Sequence, residues 1–274
     1  MGLTIVAFGT SAPELVVNIF ATLQNYPDII ISNVIGSNIF NLLFILGITG
    51  LITKLVVHSN TVWREIPISM FAIIIFFGLA NDFLLSEPEV SRIDGFILLA
   101  IFGLFLFYMY RQLQQDTIEL SVEQNQYSTL KIIGFIMIGL IGLTLGGKFV
   151  VTNAVKIATT LRVSEKTIGA TIIAPGTSLP ELATSITAAI KKRNDIAMGN
   201  IIGSNIFNIL FIVGVSSMIK PIKYNVIFNI DFYFIGAATI FLFVAMFTGD
   251  KKKLDSWEAV ILLLSYIGYI IYLL

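Results

Sequence analysis

The sequence predicts an all-α membrane protein arranged as an inverted repeat of transmembrane helices. Three observations predict it. Hydrophobic residues make up 56% of the 274 and charged residues only 12%, about half the charged share of a soluble domain. Apolar runs recur along the chain at the length needed to cross a hydrocarbon core, roughly 20 residues each. A block of polar residues occurs twice, in segments an odd number of crossings apart.

Nine apolar segments are expected, at about residues 3–24, 29–53, 66–83, 95–110, 132–155, 167–190, 196–219, 226–248 and 259–274. In lipid the backbone must satisfy its own hydrogen bonds, so each is read as helix. The connections are short. The longest, from Arg111 to Lys131, carries Asp116, Glu119 and Glu123 and divides the chain into a first half, 1–115, a connecting loop, 116–130, and a second half, 131–274.

Alternate connections fall on alternate sides. One side holds Lys54, Arg64, Arg111, Lys131, Lys191 to Arg193 and Lys251 to Lys253. The other holds Arg92, Lys156, Arg162, Lys166, Lys220 and Lys223, with Asp82, Glu87, Glu89 and Asp94 beside Arg92. The first set is richer in basic residues and is expected on the cytoplasmic side, together with the connecting loop, 116–130.

Composition also narrows chemistry. Net charge is zero, so nothing points to nucleic acid. There is no cysteine, which rules out disulfides, thiolate metal sites and cysteine nucleophiles. His58 stands alone in a polar connection and is read as a solvated side chain, since zinc sites need several clustered ligands. No leader with a basic start is visible. No protein partner is implied beyond the lipid bilayer, and no cofactor.

Residues 3–52 align without gaps to 170–219, and about half of the positions are identical. The matches concentrate on polar residues, where apolar composition cannot produce them. Gly9-Thr10-Ser11-Ala12-Pro13-Glu14 pairs with Gly176-Thr177-Ser178-Leu179-Pro180-Glu181. Asn33-Val34-Ile35-Gly36-Ser37-Asn38-Ile39-Phe40-Asn41 pairs with Asn200-Ile201-Ile202-Gly203-Ser204-Asn205-Ile206-Phe207-Asn208. The copies open the first and sixth segments, five crossings apart, and so enter the membrane in opposite directions. Secondary transporters use this architecture, with sites at the repeat interface on helices interrupted by Gly and Pro. Pro13 and Pro180 are expected to interrupt theirs and to release a carbonyl near Gly9 and Gly176.

Glu14 and Glu181 lie inside apolar segments. A charge at a helix centre costs roughly 2.5–3.5 kcal/mol on insertion scales, and neither motif holds a basic residue to offset it. A cation is the simplest compensator. Thr10 with Glu14, Ser37 with Asn41, Thr177 with Glu181 and Ser204 with Asn208 are each spaced i,i+4 and share a helix face. All are hard oxygen donors of the kind calcium takes in sixes to eights, and the same oxygens suit sodium. Competition between the two ions would couple their movements. Any one Ser or Thr could equally bond across helices for packing alone. The recurrence of the whole pattern around two carboxylates argues for a cation site. Asp28 and Asp195 also match across the repeats and are read as helix caps. Lys148 is read as snorkelling to an interface. The phenylalanines at 76–77 and 102–107 are read as packing or lipid-facing.

With these motifs the chain resembles the calcium/cation antiporter superfamily, in particular its prokaryotic sodium/calcium exchangers. The resemblance implies the sodium/calcium exchanger fold of ten helices in two inverted halves, of which about nine are present. It implies exchange of calcium for sodium by alternating access in a cell membrane, without a cofactor and without enzymatic activity. Carried over by motif position, the implied ligands are Thr10, Ser11, Glu14, Ser37 and Asn41, then Thr177, Ser178, Glu181, Ser204 and Asn208, with the backbone carbonyls of Ala7 and Ala174. Some relatives carry Asp where this chain has Asn208, which leaves stoichiometry and potassium dependence open. The helix and connection between Lys131 and the second repeat have no counterpart before Leu3, so a truncated or misassigned start is expected. Proton coupling, a cation channel, a membrane-embedded enzyme and a transport-inactive fragment are the competing readings. The acidic Gly-Asn-x-x-Glu motif of the proton-coupled branch is not found. Channel filters are rings of subunits, and no metalloprotease or serine–histidine motif occurs.

Overall fold

Apolar side chains at nearly every helix position, with polar ones confined to one stripe of a few segments, leave the chain one way to fold: polar stripes inward. The computed structural model describes residues 6–57, 61–82, 88–115, 129–248 and 252–274. Among them the nine expected apolar segments are helical.

The first is broken in two, α1 (Ala7–Thr10) and α2 (Ala12–Gln24). Then come α3 (Pro27–Ile52), strand β1 (Leu55–Val56), α4 (Thr61–Asn81), β2 (Glu89–Val90), α5 (Arg92–Gln115) and α6 (Thr129–Leu161). The sixth segment is broken like the first, into α7 (165–177) and α8 (Leu179–Ile190). It is followed by α9 (Asn194–Ile219), β3 (Ile222–Lys223), α10 (Val226–Ala245), β4 (Lys253–Leu254) and α11 (Ser256–Leu273). Six of these helices, α3, α4, α5, α9, α10 and α11, are unbroken and are long and apolar enough to cross a membrane. At 1.5 Å per residue, the 33 residues of α6 reach about 50 Å.

Burial divides the helices into a centre and a rim. The most apolar stretches of α3 and α9 are 94% and 89% buried, against 22–44% for α4, α5, α10 and α11. The rim helices turn large apolar side chains outward, among them Phe71, Ile74, Phe96, Leu104 and Phe107, as lipid-facing helices do. Phe76, Phe102 and Phe105 pack inside.

Small residues bring the central helices together, the usual device where water supplies no hydrophobic drive between helices. A Cβ added at Gly36 of α3 would stand 3.0 Å from both the Ala170 Cα and the Ala174 Cβ of α7. One added at Gly169 would collide with Ser32 Oγ. The repeat reproduces a second pair of contacts. Gly47 of α3 meets Leu263 and Ala259 of α11, and its counterpart Gly214 of α9 meets Leu99 and Gly95 of α5.

The connections show which ends of the helices lie together. At one end β1 pairs antiparallel with β4, Leu55 opposite Leu254. Lys54 reaches Asp255 there at 3.3 Å, and Asn194 Nδ2 donates to the Lys54 carbonyl. At the other end β2 pairs with β3, Val90 opposite Ile222. Pro27 and Asp28 border a cleft there with Pro88 and Lys223. Hence α2 ends beside the β2–β3 pair, while α8 ends beside the β1–β4 pair. The two copies run in opposite directions, as the odd number of crossings requires.

Some local expectations need correction. The helix breaks fall at Ser11 (φ −83°, ψ 9°) and Ser178 (φ −85°, ψ 9°), two residues before each proline. Gly9 and Gly176 are ordinary helical residues in open surroundings. The break falls where it does because Pro13 and Pro180 take the N1/N2 positions of the following helix, where a missing N–H costs nothing. Asp28 and Asp195 sit in the first turns of α3 and α9, but the N-cap residues are Tyr26 and Arg193, and neither helix start has a side-chain cap bond. Lys166, assigned to a connection, lies in the first turn of α7, buried and paired with Asp231 Oδ2 at 2.6 Å. The readings of His58, the side chain of Lys148 and residues 116–128 of the loop lie outside the described residues.

Candidate cation site

The polar stripes of the two copies meet at the centre of the bundle. Glu14 opens α2 and Glu181 opens α8, each one turn after the break. Their side chains are 1% and 0% exposed. Among the described residues no basic residue is paired with either, and no third acidic or histidine side chain joins them. This leaves hydroxyls and amides to complete the site.

The serines at the breaks cross between copies. Ser11 Oγ donates to Glu181 Oε1 at 2.8 Å, and Ser178 Oγ donates to Glu14 Oε1 at 2.7 Å. Ser204 Oγ adds a contact to Glu181 Oε1 at 3.3 Å. The threonines cross as well. Thr10 Oγ1 lies 3.1 Å from Asn200 Oδ1, and Thr177 Oγ1 lies 3.4 Å from Asn33 Oδ1. Each threonine also reaches back to the carbonyl three residues earlier, Ala7 at 3.2 Å and Ala174 at 3.1 Å. The Ala174 carbonyl is further approached by Ser37 Oγ at 3.5 Å. Both alanine carbonyls accept the backbone N–H of the serine at the break.

One turn beyond Ser37 and Ser204, Asn41 and Asn208 lie in π-helical turns at matching positions, Phe40–Ile45 and Asn208–Ile212. Such turns recur at functional sites because they re-aim side chains inside an otherwise regular helix. Asn41 Nδ2 donates to Asn205 Oδ1 and Asn208 Nδ2 donates to Asn38 Oδ1, both at 3.0 Å.

Among the atoms these bonds leave unpartnered, which include Asn18 Oδ1 and Asn33 Nδ2, four oxygens fall at repeat-related positions. Glu14 Oε2, Glu181 Oε2, Asn41 Oδ1 and Asn208 Oδ1 are buried and have no hydrogen-bond donor. A buried oxygen without a donor is costly, and four at repeat-related positions make a set. All four are hard donors, two formally charged, and a cation is the partner that such a set accepts.

The bonds place the expected residues in three sets. Ser11, Glu14, Ser178, Glu181 and Ser204 make the carboxylate group. Thr10, Thr177, Ala7, Ala174 and Ser37 are tied in around the breaks, and Asn41 and Asn208 face each other's copy through α3 and α9. Sequence reasoning assigned no role to Asn33, Asn200, Asn38, Asn205, Asn18 or Ser185. The first four belong to the repeated block, so identity across copies was the signal. Asn18 and Ser185 occupy matching positions but differ in type. Asn18 Nδ2 donates to the Glu14 carbonyl at 2.8 Å, whereas Ser185 Oγ accepts from Asn200 Nδ2 at 3.1 Å.

Two antiparallel copies enclosing an oxygen-lined centre define a membrane cation transporter of the inverted-repeat class. The chain belongs to the sodium/calcium exchanger protein family, which matches residues 1–111 and 131–274. It is 38% identical over 231 residues to the inner membrane protein YrbG of Escherichia coli, covering 81% of this chain and 69% of that protein. It is 28% identical over 311 residues to the sodium/calcium exchanger MaX1 of Methanosarcina acetivorans, covering 100% of this chain and 88% of that one. Among solved structures, the sodium-calcium exchanger NCX_Mj, soaked with sodium and strontium, matches with a TM-score of 0.72 and 31% identity. It covers 98% of this chain and 85% of that one.

Proposed function

We propose that this multi-pass cell-membrane protein exchanges calcium for sodium by alternating access, and that the buried centre is where the ions bind. The observation that carries the proposal is the set of four donor-less oxygens on Glu14, Glu181, Asn41 and Asn208. The proposed ligands around them are the hydroxyls of Thr10, Ser11, Ser37, Thr177, Ser178 and Ser204 and the carbonyls of Ala7 and Ala174. Two carboxylates balance one calcium or two sodium ions, so the same oxygens serve either load. Halves 1–115 and 131–274 each contribute one carboxylate, and relative movement of the halves would open the site to one side and then the other.

Purified protein in vesicles tests the coupling ion. Calcium uptake is measured against outward gradients of sodium, of protons and of potassium, each alone. Uptake driven by sodium alone is expected. Uptake driven equally by protons without sodium would reassign the coupling ion, and a requirement for potassium beside sodium would place potassium on the same path. Conductive calcium flux without any counter-ion would replace exchange with a channel.

A further inference from the structure

The asparagines that the exchange reading leaves without a role occupy the junction of α3 and α9. Asn38 Nδ2 donates to the backbone carbonyl of Asn205 at 3.2 Å, and Asn205 Nδ2 donates to the backbone carbonyl of Asn38 at 3.4 Å. Both side chains are fully buried.

This crossed pair dictates orientation by elimination. A backbone carbonyl can only accept, so the end of Asn38 that faces the Asn205 carbonyl must be its NH2. Its Oδ1 is thereby the end presented to Asn208. An acceptor there obliges Asn208 to offer its NH2, found at 3.0 Å, and turns Asn208 Oδ1 to the opposite side. The same sequence runs from Asn205 to Asn41, whose NH2 is held at 3.0 Å and whose Oδ1 is left without a donor. A free asparagine can present either end to an ion, and the NH2 end repels one. Held in this way, Asn41 and Asn208 can present only oxygen.

We infer that Asn38 and Asn205 are positioning residues that act through Asn208 and Asn41, fixing both as oxygen donors and so setting calcium affinity. The inference rests on the proposed ion site.

A double-mutant cycle tests it. The calcium KM of sodium-driven uptake, and calcium binding by calorimetry, are compared for wild type, N38A, N208A and N38A/N208A. The mirror cycle uses N205A and N41A. The Asn205 carbonyl retains a backbone donor from Asn208 N–H, so N38A leaves no orphaned backbone group there. N38A is expected to raise KM at least about fivefold, the worth of one hydrogen bond of roughly 1 kcal/mol, with maximal rate little changed. In the N208A background N38A is expected to add nothing, because its effect passes through the residue already removed. Wild-type KM in N38A, or effects that multiply in the double variant, would overturn the inference. If N38A does not yield monodisperse protein, the mirror cycle decides by the same criteria. Should N208A and N41A both leave KM and binding unchanged, the ligand reading itself fails, which is distinct from failure of the positioning role.

Discussion

Ser178 Oγ, at the helix break of the second copy, donates to Glu14 Oε1 of the first at 2.7 Å, and Ser11 returns the bond to Glu181 at 2.8 Å. Each carboxylate is thus oriented by the opposite copy. One oxygen is held by the serine and the other has no hydrogen-bond donor. A site divided this way cannot be completed by either half alone.

That division makes the serines interchangeable in effect. Ser11→Ala and Ser178→Ala each remove a hydrogen bond to a charged group, worth about 1.5–3 kcal/mol. Each is expected to weaken calcium binding by about tenfold or more, and by similar factors. Calorimetric titration of the purified variants checks this. A large effect from one serine and none from the other would contradict the reciprocal arrangement.

Close approach of α3 and α7 predicts a different phenotype. Gly36→Val and Gly169→Val would force side-chain atoms into Ala170, Ala174 and Ser32. Overpacking of this kind costs about 1–3 kcal/mol. Both variants are expected to melt earlier in detergent. Gly78→Val, where nothing lies within 4 Å of an added Cβ, is expected to melt with wild type. Equal melting of all three would show that the helices do not meet where the structure places them.

The buried pair of Lys166 and Asp231 predicts a non-additive result. Tyr269 donates to Asp231 Oδ1 at 3.0 Å and Lys166 Nζ donates to the Ile227 carbonyl at 3.0 Å, so the pair ties the start of α7 to α10 and α11. Removing one member strands a buried charge, at about 3–5 kcal/mol, while replacing both with apolar residues is often close to neutral. Lys166→Met should therefore destabilise the protein more than Lys166→Met with Asp231→Leu. Thermal unfolding of the purified proteins measures the difference. Equal losses in the two variants would mean that the pair is not coupled.

How much of this was legible in the sequence depended on which physical signal each feature leaves there. The nine apolar segments, helical among the described residues, and their alternation were legible, because lipid imposes a length and an apolar composition on each span. The motif residues were legible because matching polar residues in apolar helices cannot come from composition. Lys166 was not, since a lysine near a helix end looks the same whether it meets water or Asp231, a residue 65 positions on. The π-turns at Asn41 and Asn208 left no trace, since no residue pattern in the sequence marks them. Asn38 and Asn205 were visible as repeated residues, yet only the direction of their amides shows what they hold in place.

The central claim is that Glu14 and Glu181 together carry the transported ion. The most direct test is uptake of radiolabelled calcium into sodium-loaded vesicles containing wild type, Glu14→Gln or Glu181→Gln. Gln keeps the shape and can still accept from the serine, but removes the charge that balances the ion. Sodium-dependent uptake by wild type, with either variant reduced to the level of protein-free vesicles, is the predicted result. Sodium-driven calcium uptake that persists in both variants would show that the ion passes elsewhere, and would contradict the account.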